Sequence, residues 1–199
     1  MTPKQFRQTW TIDGDSLSPF SPNCLVGLNL RPSTCNFLTI AGLPFDAAPF
    51  LSFVQNNTGS CNTINKLTTY YKFLETQYDK YVVIGLCREA NAIAIDTHRC
   101  DQIVWLNRED NFSPRFFNSS ISSFAECLVI YRDFVQTMLR DAVENEYINI
   151  DFTRRQIEIL KQKLVTADGK AITENGFWKS NLELELRALQ VAERTAIIQ

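Results

Sequence analysis

From residue 80 to residue 107 the apolar residues come in short runs, KYVVIGLC, NAIAIDT and QIVWLN, separated by REA and HRCD. Connectors this short suit antiparallel hairpins, so 80–87, 91–97 and 102–107 are read as a meander. In NAIAIDT, Ile93 and Ile95 alternate with Ala92, Ala94 and Asp96, which makes one face more apolar than the other. YVVIG is apolar throughout, as suits a central strand covered on both faces. RFFN, 115–118, reads as one more short strand.

At residue 121 the period changes. Ile121, Phe124, Leu128, Tyr131, Val135 and Met138 follow in steps of three and four, which predicts one face of a helix of about five turns. Asn118, Ser119 and Ser120 stand just before it and offer the side-chain oxygen that a helix start needs. Ser123 with Glu126 offers a capping box one turn later. The Asn118–Ser120 triplet is therefore read as a structural fold marker joining strand to helix, not as a ligand contact. Further on, Ile157, Leu160 and Leu164 share a helical face, with Asp151 or Thr153 as its cap. TADGKAIT turns around Gly169, and a terminal helix follows with Trp178, Leu182, Leu186 and Leu189 as its apolar stripe.

The first third is less regular. Residues 1–10 predict a short helix carrying Phe6 and Trp10, and 12–22 is turn-rich. LVGLNL (25–30), NFLTI (36–40) and APFLSFV (48–54) read as strands, and QNNTGSCN (55–62) as a mobile loop. INKLTTYYKFLE mixes β-branched residues with lysine and glutamate and stays ambiguous between strand and helix start. Strands gathered first and helices last predict an α+β fold. It would hold a mainly antiparallel sheet of about six strands with the meander at its centre, helices packed on it, and a helical C-terminal part over 151–199. A chain of 199 residues without repeat or linker is read as a single domain, 1–199.

Composition narrows the function classes. Apolar residues at 45% fit a folded chain. A net charge of −2 lacks the basic footprint that phosphate backbones or anionic membranes require, so neither nucleic acid nor membrane is an expected partner. MTPKQFRQTWTIDGDS has no apolar signal-peptide core, and a cytoplasmic location is expected. Six cysteines, at 24, 35, 61, 87, 100 and 127, form no C-x-x-C pair and have no histidine cluster. They are read as buried free thiols, with no metal and no cofactor.

Candidate chemistry is sparse. His98 is the single histidine, in the THRC turn. G-x-S-x-G, H-E-x-x-H and P-loop patterns are absent. Gly85 is read as a strand glycine that allows close packing or a bulge. Asp13 with Asp15, Glu109 with Asp110, and Glu144 with Glu146 form acidic pairs, which an undetected hydrolase could use as acid and base. Trp105 and Trp178 fall within apolar patterns and read as core. With no convergent set of titratable groups, a binding protein is expected and an enzyme is not.

The order of segments resembles the SUKH superfamily, and within it the SUKH-4 group of bacterial immunity proteins. IAIDT (93–97) and VWLN (104–107) look like that group's consecutive hairpin strands, and FFNSSISSFAECLVIY (116–131) like its Asn-Ser-Ser helix entry. LTIAGLPFDAAPFLSF (38–53) and DGKAITENGFWKSNLELEL (168–186) are weaker echoes, so the likeness is strongest over 91–131. HRCD stands where the family commonly has a glycine-containing turn. The resemblance implies a cytoplasmic protein, without cofactor, that neutralises a cognate polymorphic toxin by stoichiometric protein–protein interaction. The toxin implied is a nuclease or deaminase encoded nearby. The alternative is a scaffold or regulatory SUKH-like protein whose cellular partner is unconnected with toxins. For partner contacts, chemistry favours charged residues on hairpin loops: His98, Arg99 and Asp101 in one turn, and Arg108, Glu109 and Asp110 in the next.

Overall fold

A computed structural model describes residues 1–55, 64–145 and 149–198. In chain order the first part holds helix α1 (Pro3–Trp10), strand β1 (Leu17–Ser18), helices α2 (Pro22–Leu25) and α3 (Pro32–Ile40), then strands β2 (Leu43–Pro44), β3 (Asp46–Ala47) and β4 (Leu51–Phe53). Strand β5 (Asn65–Lys66) and helix α4 (Leu67–Tyr70) lead to strands β6 (Tyr81–Cys87), β7 (Asn91–Asp96), β8 (Gln102–Asn107) and β9 (Ser113–Asn118). Helices α5 (Ile121–Asn145), α6 (Ile150–Ala167) and α7 (Phe177–Ile198) follow.

The meander β6–β7–β8–β9 is antiparallel, as its short connectors predict. It is the larger part of a seven-stranded sheet, in which β4 and β5 share the outer edge of β6 and β3 pairs β4. Strands β1 and β2 form a separate small pair. The register slips between Val83 and Gly85, so Gly85 sits at a bulge. A Cβ there would stand 2.4 Å from the Ser52 carbonyl oxygen and 2.9 Å from the Phe53 ring, so the close approach of β4 requires glycine. With helices on the sheet, the architecture is the expected α+β.

Alternation along the strands sorts two cores. Val82, Ile84, Ile93, Ile95, Ile103 and Phe117 face the helices, where they meet Phe6 and Trp10 of α1, Phe124 and Leu128 of α5, and Trp178 of α7. Val83, Ala92, Ala94, Val104 and Leu106 face the other way, under Leu67, Tyr81 and Phe112. The alanines of NAIAIDT explain why a thin cover suffices there. Small side chains let the segment of β5, α4 and a 3-10 turn at Thr76–Lys80 lie close to the sheet. INKLTTYYKFLE thus holds both a short strand and a helical turn.

Neither of two expected strands forms: NFLTI is helical and LVGLNL runs through turns after its first residue. LVGLNL begins at the last residue of α2, and NFLTI is the body of α3. Pro22 and Pro32 each occupy the first helical turn, where their fixed φ helps and their missing N–H costs nothing. Thr34, Phe37 and Leu38 then give α3 a buried face at helical spacing. Of 48–54 only Leu51–Phe53 is strand. The 55–62 loop lies outside the described residues except for Gln55. Helix α5 has 25 residues, about seven turns rather than five, and its far end exposes Leu139 and Val143.

Candidate functional site

The Asn118–Ser120 junction is built as architecture. Ser120 is the cap: its Oγ accepts from the Ser123 N–H at 3.2 Å, and Ser123 Oγ accepts from the Ser120 N–H at 3.1 Å. Serine at the third helical position therefore closes the box, and Glu126 instead pairs with the Met1 ammonium at 2.9 Å. Helix α6 is capped by Asn149 Oδ1, which accepts from the Phe152 N–H at 2.9 Å, and not by Asp151 or Thr153. Asn118 is fully buried and faces inward, where its Nδ2 donates to Asp168 Oδ2 at 3.0 Å and to Cys127 Sγ at 3.3 Å. Ser119 adds its N–H and hydroxyl to the two oxygens of Asp168, at 2.6 and 2.9 Å, and the Lys170 N–H donates at 3.1 Å. Burial alone would raise the Asp168 carboxyl; the hydrogen bonds from Ser119, Asn118 and Lys170 outweigh it and hold the group below its ordinary value. Burial pushes the Cys127 thiol up to about 12, against the hydrogen bond from Asn118. With Asn118, Cys127 and Asp168 buried at its centre, this knot holds β9, α5 and the α6–α7 connection together.

The other two turn clusters do not converge. His98–Asp101 and Arg108–Asp110 lie at opposite ends of β8, a six-residue strand, and so roughly 17 Å apart. At the first end His98 and Arg99 are exposed. The His98 N–H donates to Asp96 Oδ1 at 3.1 Å, and Arg99 Nε lies 3.8 Å from Asp96 Oδ2. Asp101 does not project. It is 2% exposed, and its Oδ2 accepts from the Arg31 N–H at 2.7 Å, so it anchors the approach to α3. Its expected place among exposed contacts is corrected by that role.

The second end has more around it. The 88–90 turn between β6 and β7, the 108–112 turn between β8 and β9, and residues 71–78 together line an open groove of about 690 Å³. Asn91 is the strut between the turns: its Oδ1 accepts from the Arg108 N–H at 3.0 Å and its Nδ2 donates to the Arg88 carbonyl at 3.3 Å. Glu89, Ala90, Asn111 and Phe112 all hold positive φ, between 48° and 62°, so both turns are tight without any glycine. The floor is aromatic. Phe112 is buried, with Tyr71 4.7 Å, Phe73 6.3 Å and Tyr78 6.4 Å from it between ring centroids. Phe73 is 75% exposed, and the Arg108 guanidinium stands over Tyr71 at 5.7 Å. Glu75, Glu89 and Glu109 complete the wall. Asp110 is turned to its own hairpin, where its Oδ2 accepts from Ser113 and from Arg115 at 3.0 Å.

Of the six charged residues expected at contacts, Arg108 and Glu109 therefore line a groove, Asp110 supports it, His98 and Arg99 are elsewhere on the surface, and Asp101 is buried. Tyr71, Phe73, Tyr78 and Glu89 join them with no sequence motif to announce it. The nearest signal is YYKF, 70–73, an aromatic run that fits neither the strand nor the helix period.

Among the described residues no group of three or more His, Cys, Asp or Glu side chains is placed to hold a metal ion. Glu144 is exposed near the end of α5, and its expected acidic partner Glu146 lies outside the described residues, as do Cys61 and the side chain of Asp13. Cys35, Cys87, Cys100 and Cys127 are free, but Cys24 is disulfide-bonded and Cys100 is exposed, so the reading of six buried thiols fails at both. Trp178 is core, as expected, whereas Trp105 is only partly buried. Among the described residues no helix is long and apolar enough to cross a membrane. No curated protein and no solved structure matches the chain. The family model of the SUKH-4 immunity protein matches residues 14–184, nearly the whole of the α+β unit described above, and the chain belongs to that family.

Proposed function

We propose that this protein neutralises a cognate polymorphic toxin, a nuclease or deaminase encoded nearby, by stoichiometric binding in the cytoplasm and without turnover. The observation that carries the reading is the match to the immunity-protein family over residues 14–184. Contact is assigned to the groove end of the sheet, through Arg108 and Glu109, with Asp110 holding the turn in shape. That end combines exposed aromatic surface with unpaired charge on tight turns, the composition from which interface hot spots are made. A net charge of −2 suits a basic toxin, since opposite charge speeds encounter.

The test is co-expression with the product of the neighbouring gene, scored by cell survival and by co-purification. Rescue with a 1:1 complex is the expected result. Arg108→Ala should weaken the complex, whereas His98→Ala and Arg99→Ala, at the far end of β8, should leave it intact. Absence of both rescue and complex would overturn the toxin reading in favour of a scaffold or regulatory role.

A further inference from the structure

We propose that the groove beside Phe73 receives a basic side chain, arginine or lysine, presented on a loop of the bound protein partner; this names the partner chemistry of the binding reading above and rests on it. Three carboxylates, of Glu75, Glu89 and Glu109, line the groove against the single guanidinium of Arg108. Glu89 and Glu109 have no ion-pair partner among the described residues, and both are exposed. Three carboxylates thus exceed the one cation of the groove, and Glu89 and Glu109, unpaired among the described residues, are open to an external one.

The aromatic floor points to the same occupant. Tyr71, Phe73 and Phe112 contact one another in tilted and edge-on arrangements, which leaves ring surface turned outward at Phe73. A long basic side chain can lay its alkyl stem along such rings and keep its charge at their edge, among carboxylates. Arg108 already shows that a guanidinium stacks on this cluster, 5.7 Å above Tyr71. An acidic loop would find one cation and three repelling carboxylates, and a purely apolar one would desolvate the glutamates without compensation.

The groove is also large enough for more than a side-chain tip. Its volume of about 690 Å³ adjoins a second hollow of about 390 Å³, and the two share Gln77, Tyr78, Asn111 and Phe112 as walls. Tyr78 forms the saddle between them, its hydroxyl donating to the Asn111 carbonyl at 3.1 Å. A loop can seat its basic residue at Phe73 and continue over Tyr78.

The test uses the isolated protein and a defined probe. Isotope-labelled protein is titrated at low salt with acetyl-Gly-Arg-Gly-amide, and in parallel with the same peptide carrying norleucine in place of arginine. The expected result is saturable amide shifts confined to 71–78, 88–91 and 108–112 for the arginine peptide alone. Affinity should fall roughly fivefold in an E89Q/E109Q double variant, whose exposed positions leave the fold unchanged. Shifts scattered over the surface, equal shifts with norleucine, an unaltered double variant, or no shift at all would each overturn the proposal. Because the probe is not the toxin, these failures are distinct from a failed survival assay, which bears on the immunity reading instead.

Discussion

The Trp178 indole N–H donates to Asn118 Oδ1 at 2.9 Å, joining the first turn of α7 to the last residue of β9 across 60 positions of chain. Both residues are fully buried. The same Asn118 amide reaches Asp168 on the α6–α7 connection and Cys127 on α5, while Phe177 stacks on Phe117 with ring centroids 3.9 Å apart. A side chain with both donor and acceptor is needed, because indole N–H and carboxylate present opposite demands. Asparagine at the end of a strand meets them without a charge of its own.

Replacing Asn118 by alanine leaves the Trp178 N–H without its partner and opens a small cavity beside Phe117. The expected loss is about 3 kcal/mol, or a Tm lower by roughly 6–12 °C for a chain of this size. Thermal melts followed by far-UV circular dichroism would measure it. The folded fraction should bind the arginine peptide as wild type does, since the groove is at the other end of β9. A variant that melts normally but loses binding would assign Asn118 to the site and not to the fold.

Asp168 makes stability depend on acid. Its carboxylate oxygens accept from the Asn118 amide, the Ser119 N–H and hydroxyl and the Lys170 N–H, so the carboxylate form is favoured in the fold and the group titrates below its unfolded value of about 3.8. A depressed carboxyl contributes stability that is present above the unfolded value and lost as pH falls through the folded one. Asp168→Asn turns an amide donor toward donors and should cost about 3 kcal/mol at neutral pH. Urea midpoints should show a constant gap between wild type and D168N above about pH 5, narrowing below about pH 4. A gap independent of pH down to full unfolding would mean that the carboxylate charge is not what matters.

The capping box gives a cleaner local test. Ser120→Ala removes the acceptor for the Ser123 N–H and should destabilise the protein by about 1 kcal/mol. Glu126→Ala touches only the pairing with the Met1 ammonium, a partly exposed contact, and should cost less than about 0.5 kcal/mol. Equal losses from chemical denaturation of the two variants would argue for the alternative register, with Ser123 as cap and Glu126 closing the box.

Which features are legible in the chain follows from how local their causes are. The meander is legible because strand period and short connectors are written in adjacent residues, and Gly85 because no other residue fits so near Ser52. The Asn118–Ser120 triplet is legible as a helix entry, but its chief partner, Asp168, lies 50 positions away in what reads as a plain turn. Helix α3 hides because its apolar face starts at Thr34, ahead of the run NFLTI that invites a strand reading. The groove is the least legible. Its parts come from residues 71–78, 89–91 and 108–112, which only the antiparallel pairing of β6, β7 and β8 brings to one end of the sheet.

Asn91 carries the last prediction, since its side chain ties the 88–90 turn to the 108–112 turn. Asn91→Ala deletes the acceptor for the Arg108 N–H and the donor to the Arg88 carbonyl, at a cost of about 1–2 kcal/mol. Freed of the strut, residues held at positive φ on either side can relax, and the walls of the groove lose their spacing. Hydrogen exchange at 88–90 and 108–112 should then accelerate more than in the strands, and the arginine peptide should bind more weakly. Asn91→Asp separates the two bonds, because a carboxylate still accepts from Arg108 but has nothing to donate to Arg88. It should loosen 88–90 while sparing 108–112. If both variants raise exchange evenly across the sheet, Asn91 is an ordinary buried polar residue, and the two turns are held by packing against Phe112 and Tyr71 instead.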